Sequence, residues 1–393
     1  MREVLIIDAV RSAVGKRNGT LRKKPSTELL GDVLLALLGR NELPGGAVDQ
    51  VVGGCVSQLG MQASNVVRNA WLGARLPLEV PAATVNAQCG SSQEANTFAH
   101  ALVAGGLAEI VISCGVESMT QVPLGSTTPI EPDYGNPRGG RYAQVYEPTT
   151  QFEGAERIAE TWGITREELE IFGKRSQDRA AAAWSDDRFA TQIVPIEAPV
   201  IDETGATTDT VIFDRDEGLR ETTLEGLARL RPNLQDRNPA FHTAGTTSQV
   251  SDGASAVLLM SADRAEALGL RPRARLVESV LVGSDPELML TGPIPATHRL
   301  LARSGLTLDA IDVLEVNEAF ASVVLAWQRE TGVDPEKVNV NGGAIALGHP
   351  LGATGAILLT KALNELERSG GRYGLVTMCC GGGLGTGTLV ERI

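Results

Sequence analysis

Short apolar runs rich in valine and isoleucine alternate along the chain with longer segments whose apolar residues recur every three or four positions. The first pattern is typical of buried strands, and the second is typical of helices that pack one face against a sheet. Strands that alternate with helices form βα units and a largely parallel sheet. The pattern therefore predicts a protein of the α/β class.

The order of the predicted elements occurs twice. In each half a strand is followed by a turn that opens a helix, then by a second strand and a closing strand. A duplication explains this order, and a chance match between generic βα patterns is the alternative, because the two halves have diverged heavily. The strands that correspond are 49–56 and 311–320, 109–118 and 373–383, and 253–260 and 385–393.

A segment with a different residue pattern interrupts the first half between residues 119 and 251. It contains a helix that is predicted to open with a capping box of Thr165 and Glu168 and to end near Trp184. A structureless loop of this length is implausible in a compact protein, so we predict a small inserted domain. The predicted division is residues 1–119 with 251–272, the insert at 120–250, and residues 273–393.

Composition narrows the class of protein. Of 393 residues, 42% are hydrophobic, enough for a sizeable core, while 4% aromatics and 44 glycines favour close packing of helices on sheets. The net charge of −13 argues against a nucleic-acid surface. No apolar run approaches the roughly 20 residues that span a bilayer, so no membrane partner is expected. The odd number of cysteines, five, and an N-terminus without signal-peptide features predict a cytoplasmic protein without a disulfide framework.

Cys89 is the first candidate for chemistry. It lies in the turn between a predicted strand and a predicted helix, which Ser91 and Glu94 would open as a capping box. A free cysteine is only a few per cent thiolate at neutral pH, and a helix N-terminus contributes about 0.3–2 kcal/mol. A nucleophilic Cys89 would therefore need a partner base, and an inert cysteine of the core is the alternative.

His349 is the candidate base. Of the four histidines it alone lies in a glycine-rich loop, NGGAIALGHPLGATG at 341–355, that precedes an amphipathic helix. The loop occupies the place in the second half that the Cys89 turn occupies in the first. A histidine there would face Cys89 across a pseudo-twofold axis, although a loop histidine considered alone is more often a surface residue.

A second thiol-bearing motif is MCCGGGLGTG at 378–387. Its glycines do not match the G-x-G-x-x-G spacing of a dinucleotide site. A strand that ends in cysteine before three glycines instead offers a thiol beside free backbone N–H groups, which suits proton transfer and an oxyanion hole. Because adjacent strand residues face opposite ways, only one of Cys379 and Cys380 is expected to reach the site.

Six segments together resemble the blocks of the thiolase family, in order and over the whole chain. The resemblance implies the α/β thiolase fold, two duplicated βα halves in a layered αβαβα core with an inserted loop domain, assembled as a homodimer or homotetramer. It also implies thiolytic cleavage of 3-ketoacyl-CoA, or the reverse Claisen condensation, with CoA as a substrate and no metal or bound cofactor. The segments are VNAQCGSS, GVESM, SDGA at 251–254, NEAF at 317–320, NGGAIALGHPLGATG and CCGGG.

The resemblance also assigns catalytic roles by position. Cys89 matches the nucleophile that carries the acyl group, and His349 matches the residue that activates it. Cys379 matches the second acid/base. Asn317 matches the residue that positions a water in one oxyanion hole, which His349 completes. The N–H groups of Cys89 and Gly381 match the other hole.

Three further positions match residues that contact the substrate: Arg220 and Ser248 contact CoA, and Phe320 lines the pantetheine tunnel. Cys380 departs from the pattern, since the family usually has an aliphatic residue there. Residues 150–156 also depart, because they lack the His-Met pair that short-chain biosynthetic thiolases commonly carry. In this respect the chain is similar to degradative bacterial thiolases, including those that shorten steroid side chains.

Several alternatives remain at this point. One is a short-chain acetyltransferase that forms acetoacetyl-CoA. Another is a ketoacyl-synthase-type enzyme, but these usually have a second histidine where this chain has Cys379. A third is a catalytically silent acyl-CoA-binding protein or a structural member of a β-oxidation complex, which would not require Cys89, His349 and Cys379 together.

Overall fold

The computed structural model describes residues 2–127, 135–202 and 204–393. The strands within these residues are β1 Val4–Ser12, β2 Gly15–Lys16, β3 Gln50–Gly54, β4 Ala82–Val85, β5 Ile110–Ser118, β6 Ile193–Val194, β7 Ile196–Ile201, β8 Thr207–Phe213, β9 Ser251–Ser261, β10 Ala274–Gly283, β11 Val313–Val316, β12 Tyr373–Cys380 and β13 Leu384–Arg392. The α-helices are α1 Ser26–Arg40, α2 Val66–Gly73, α3 Ser91–Ala104, α4 Arg141–Val145, α5 Gln151–Thr161, α6 Arg166–Ser185, α7 Leu224–Ala228, α8 Ala262–Leu268, α9 Pro293–Ser304, α10 Ala321–Thr331, α11 Ala344–Leu347 and α12 Thr354–Ser369.

The strand pairing repeats between the halves, as the sequence pattern predicts. The main sheet has the order β11-β12-β13-β10-β1-β9-β5-β3-β4. In the first half β3 and β5 are parallel, β5 and β9 antiparallel, and β9 and β1 antiparallel. In the second half β11, β12, β13 and β10 follow the same sequence of directions. The prediction of a largely parallel sheet is wrong, because in each half only the first of these three pairs is parallel. The short turn between β12 and β13, for example, can join only antiparallel strands. A short antiparallel contact between β1 and β10 joins the halves into one continuous sheet.

Five layers follow from the way in which the helices cover the two halves of this sheet. Helices α1 and α2 pack on the outer face of the first half, and α9 and α10 cover the outer face of the second. Between the halves lie α3 and α12, whose apolar residues form a shared central core. Glycine allows the close approach there: a Cβ added to Gly355 would lie 2.3 Å from the backbone nitrogen of Gln93. The expected αβαβα arrangement is confirmed.

The inserted segment packs on both halves. Strand β6 pairs in parallel with β1, and β7 and β8 form a separate two-stranded sheet. Phe189 and Phe213 join the core of the first half, whereas Ile158 and Phe172 join the core of the second. The apolar side chains of the insert therefore help to hold the two halves together.

The predictions for the helix starts had different outcomes. Helix α6 opens with the predicted capping box, in which Thr165 accepts a hydrogen bond from the N–H of Glu168 and Glu168 bonds back. The capping box predicted for α3 is wrong. Its N-cap is Gly90, and Ser91 is already in the first turn, where its hydroxyl donates to the carbonyl of Gln88 at 2.5 Å.

Among the described residues, no helix is both long and apolar enough to cross a membrane.

Candidate active site

Cys89 lies in a tight turn between the end of β4 and the start of α3. Gln88, the residue before it, has a φ of 54°, a left-handed conformation that side chains other than glycine rarely adopt. The carboxamide oxygen of Asn86 accepts a hydrogen bond from the N–H of Gln88 at 2.9 Å and fixes the turn. The sharp change of direction places Cys89 on the wall of a pocket, and strained backbone of this kind is often found at functional sites.

The pocket has a volume of about 130 Å³ and a mainly apolar wall. Cys89, His349 and Gly381 lie on this wall, so the two halves of the chain contribute to one site. Ser248 and Phe320 lie on it as well. The remaining lining residues are Gln88, Met119, Leu124, Gln151, Phe152, Thr247, Gln249, Val250, Leu290, Ala319 and Leu351.

Burial opposes ionisation of the nucleophile. It raises the pKa of Cys89 to about 11, and the charge of Glu117 acts in the same direction. The N–H groups of Gly381 and of Cys89 itself act the other way, since they donate to the sulfur. With such a pKa, on the order of 1 in 10⁴ of the thiols is ionised at pH 7. The helix end does not compensate for burial, so the need for a base is greater than the sequence alone suggests.

His349 is held in one orientation as a neutral imidazole. Its Nδ1 lies 2.7 Å from the hydroxyl of Thr354, and that hydroxyl donates its own proton to the carbonyl of Pro350 at 2.8 Å. Thr354 therefore accepts from Nδ1–H, which leaves the lone pair on Nε2. Burial lowers the pKa of His349 to about 4, so the base form dominates at neutral pH. Among the described residues no hydrogen bond joins this imidazole to the Cys89 thiol, and such contacts often form only when substrate binds.

Asn317 contacts the histidine from the end of β11. Its Nδ2 lies 3.3 Å from Nε2 of His349, and its backbone N–H donates to the carbonyl of Thr377 at 3.0 Å. The side-chain oxygen of Asn317 is buried and has no partner among the described residues. This oxygen is therefore available to a water. Asn317 does not line the Cys89 pocket itself and reaches the site through His349.

Two buried carboxylates hold the loop that carries His349. Glu117 accepts from the N–H of Gly352 at 2.9 Å, just after the histidine. Glu318 accepts from the N–H of Ile345 at 3.2 Å, just before it. The sequence interpretation gave no role to either carboxylate or to Thr354. The presence of acidic residues inside apolar segments of GVES and NEAF was the signal for the carboxylates, because buried charges are rare unless they are hydrogen-bonded.

The thiols of Cys379 and Cys380 lie on opposite faces of β12. Cys379 is fully buried in the cluster that includes Phe320. Burial raises the pKa of Cys379 well above its ordinary value, and the nearby Cys89 adds to the effect. Cys380 packs in the central layer instead, and its sulfur would lie 2.7 Å from a Cβ added to Gly90. The two thiols face opposite ways, as predicted, but neither lines the pocket. Cys380 also lies near Cys89, which contributes to the raised pKa of Cys380.

Arg220 lies outside the Cys89 pocket. It lines a neighbouring cavity of about 360 Å³ together with Leu227 and Gly245. Its Nη2 donates to Oε1 of Gln249 at 2.8 Å, and Gln249 lines the Cys89 pocket. The two cavities therefore adjoin at Gln249.

Within the described residues, no group of three or more His, Cys, Asp and Glu side chains is placed to hold a metal ion.

A cysteine at the start of a helix and a neutral histidine on one pocket wall, with a second buried thiol near the cysteine, are the groups of an enzyme that forms a thioester on cysteine. The model for the thiolase N-terminal domain matches residues 4–263, and the model for the C-terminal domain matches residues 270–392. The chain therefore belongs to the thiolase family and is an acyltransferase of that family.

Known relatives span the full length of the chain. The steroid 3-ketoacyl-CoA thiolase FadA6 of Mycobacterium tuberculosis is 46% identical over 100% of this chain and 95% of its own. A beta-ketoadipyl-CoA thiolase of Acinetobacter baylyi is 41% identical over 100% of both chains. The crystal structure of the Bacillus anthracis acetyl-CoA acetyltransferase superposes with a TM-score of 0.91 at 35% identity, covering 100% of this chain and 99% of its own.

Proposed function

We propose that the enzyme cleaves 3-ketoacyl-CoA by thiolysis with CoA, which yields acetyl-CoA and a shortened acyl-CoA. The observation that carries the proposal is that Cys89, His349 and the N–H of Gly381 share one pocket, with Cys379 buried close to Cys89. CoA acts as a substrate, and neither a metal nor a bound cofactor takes part. A silent binding protein would not need these groups together.

In the first half-reaction the Cys89 sulfur attacks the 3-keto carbon while its proton passes to Nε2 of His349. The N–H groups of Cys89 and Gly381 hold the developing oxyanion, and each donor of this kind contributes about 10²–10³ in rate. The bond between C2 and C3 then breaks. The oxygen of the acetyl-CoA enolate is held by His349 Nε2–H and a water positioned by Asn317. The enolate takes the proton of the Cys379 thiol at C2, and the acyl group stays on Cys89.

In the second half-reaction the Cys379 thiolate removes the proton of incoming CoA. The CoA sulfur attacks the thioester carbonyl, whose oxygen is still held by the N–H groups of Cys89 and Gly381. When the acyl group leaves, Cys89 recovers its proton from His349. Protons therefore balance over the cycle, and Cys379 serves both half-reactions with opposite roles.

The thioester on Cys89 is the direct test. When the protein is incubated with acetyl-CoA or a ketoacyl-CoA without free CoA, we expect one acyl adduct by intact mass. Peptide mapping should place it on Cys89, because only this cysteine lines the pocket within the described residues. The Cys89→Ala variant is the control and should stay unmodified. An adduct confined to Cys379 or Cys380 would reverse the assigned roles.

The adjoining cavities support a CoA site that runs from the surface to Cys89. In this proposal Arg220 contacts the nucleotide part of CoA, while Ser248 and Phe320 contact the pantetheine arm. Phe320 is buried, and the ring of Phe152 packs edge-on against it at 5.5 Å between centroids. We retain the division into residues 1–119 with 251–272, 120–250 and 273–393, in which the insert supplies Arg220 and Ser248.

We propose a homodimer or homotetramer in the cytoplasm. Strand β4 is an edge of the main sheet and is only half-buried, and an unpaired edge favours pairing with another chain. Met61 and Phe98 add exposed apolar surface in the same half. All five cysteines are free, as is usual in a reducing compartment.

We further propose that the enzyme works chiefly in the degradative direction on acyl groups larger than acetoacetyl. Glu156, the last residue of the segment without the His-Met pair, is buried and accepts hydrogen bonds from the N–H groups of Phe241 and His242. From the segment without the His-Met pair, Gln151 and Phe152 of helix α5 line the pocket. Gly154 does not line the pocket and packs against the backbone of Leu288.

Thiolysis of acetoacetyl-, medium-chain and steroid-side-chain ketoacyl-CoA should therefore show higher kcat/KM for the larger substrates. Each methylene accommodated in an apolar pocket is worth roughly 10–200-fold, so a preference should be plain. If acetoacetyl-CoA is the best substrate by tenfold or more, the alternative of a short-chain acetyltransferase replaces this proposal.

A further inference from the structure

Of the three glutamines that line the pocket around Cys89, two have no side-chain hydrogen bond among the described residues. Gln88 and Gln151 both line it, among Met119, Leu124 and Leu290. They come from separate elements, the nucleophile turn and the first residue of α5. If the wall contacted only hydrocarbon, apolar side chains at both positions would bind the acyl chain more tightly. An amide placed against an alkyl chain loses its hydration, which costs free energy.

Gln88 directs its carboxamide towards the reacting end of the pocket. Its hydrogen bonds among the described residues use its backbone alone. The carboxamide oxygen would lie 3.3 Å from a Cβ built on Gly381, whose N–H donates to the Cys89 sulfur. The left-handed backbone of Gln88 makes this placement possible, and the residue lines the pocket and is exposed.

Gln151 lies at the entrance of α5, next to Phe152. The hydroxyl of Thr150, the N-cap residue, accepts a hydrogen bond from the N–H of Glu153 and makes no bond to the Gln151 carboxamide. That carboxamide, which is half-buried, has no hydrogen-bond partner among the described residues. The neighbouring Gln249 differs, because its carboxamide is fully engaged with Arg220 and the carbonyl of Gly218.

From these contacts we propose that Gln88 and Gln151 select acyl chains that carry a further oxygen acceptor, as a keto or carboxylate group beyond the 3-keto carbon. This inference rests on the proposed thiolase function and deepens it. Each carboxamide offers two N–H donors to such an oxygen. A hydrocarbon chain of the same length leaves both donors unpaired, and sites built to hydrogen-bond a substrate discriminate strongly against analogues that lack the partner.

The test compares three 3-ketoacyl-CoA substrates of equal chain length. One ends in a methyl group, one has a keto group next to that methyl, and one ends in a carboxylate. Thiolysis is measured as kcat/KM for the wild type, Gln88→Met, Gln151→Met and the double variant, because methionine keeps the length of the side chain without the amide. Gln144→Met, an exposed residue of α4, is the matched control.

We expect at least one oxygen-bearing substrate to exceed the methyl-ended one by about tenfold or more in the wild type and in Gln144→Met. In the double variant the ratio of kcat/KM between the oxygen-bearing and the methyl-ended substrate should fall towards one. The substrate that the wild type prefers shows whether a keto or a carboxylate oxygen is recognised. Should the double variant not fold, the single variants and the wild-type ratio decide. Equal or faster cleavage of the methyl-ended substrate by the wild type overturns the inference but not the thiolase function. A ratio that the substitutions leave unchanged also overturns it. Absence of cleavage of all three substrates overturns both.

Discussion

Replacement of His349 by alanine is expected to slow the acylation of Cys89 by about 10²–10⁴-fold, the usual contribution of a general base. The physical reason is the pKa of Cys89, which burial raises to about 11. Without an acceptor for the thiol proton, only the small thiolate fraction can attack. The rate of adduct formation in a single turnover, followed by intact mass, measures the loss.

The pH dependence distinguishes a lost base from a damaged fold. His349 has a pKa lowered to about 4, so it is already the free base from pH 5 upwards. Acylation in the wild type should therefore be nearly independent of pH between about 5.5 and 8.5. In His349→Ala the rate should rise about tenfold per pH unit, because it then follows ionisation of Cys89.

His298→Ala is the matched control for this experiment, since His298 is exposed on α9 in an outer layer. It should keep both the rate and the flat pH profile. A His349→Ala variant that acylates within threefold of the wild type would contradict the role of the histidine, as would a flat profile in that variant.

The repeating order of strands and helices was predictable because hydrophobic periodicity is a local property of the sequence. The contact between β1 and β10 was not, since each is an edge strand of its own half and only the packing of α3 against α12 brings the two edges together. The cap of α3 was mispredicted for a related reason. Ser91 and Glu94 have the spacing of a capping box, but the nucleophile turn requires the Ser91 hydroxyl to bond back to Gln88.

The candidate nucleophile and base were predictable from their motifs, but their protonation states were not. A helix end next to Cys89 can be inferred from the sequence, whereas the burial that outweighs it depends on residues distant in the chain. The partners of His349 illustrate the same limit. Thr354 is five residues away, yet its role follows only from the 2.7 Å contact with Nδ1 and from its own bond to the Pro350 carbonyl.

Cys379→Ala is expected to lower turnover by about 10²–10⁴-fold, whereas Cys380→Ala should stay within about threefold of the wild type. Both side chains are buried cysteines of one strand, so the two substitutions create comparable cavities. The difference arises from direction. Cys379 lies in the cluster of Phe320, which lines the pocket, and Cys380 lies against Gly90 and Thr386 on the other face. Steady-state thiolysis of a ketoacyl-CoA measures the two losses.

Exchange of the acetyl-CoA methyl protons with deuterated water isolates the step assigned to Cys379. That exchange requires a thiolate to remove a proton from C2 and return a deuteron, and it does not depend on the transfer of the acyl group to CoA. We expect exchange in the wild type and in Cys380→Ala but not in Cys379→Ala. Equal loss of turnover in both variants would contradict the argument from strand faces. Exchange that persists in Cys379→Ala would assign the second acid/base to another residue, and Cys380, which contacts the Cys89 turn through Gly90, would be the next to test.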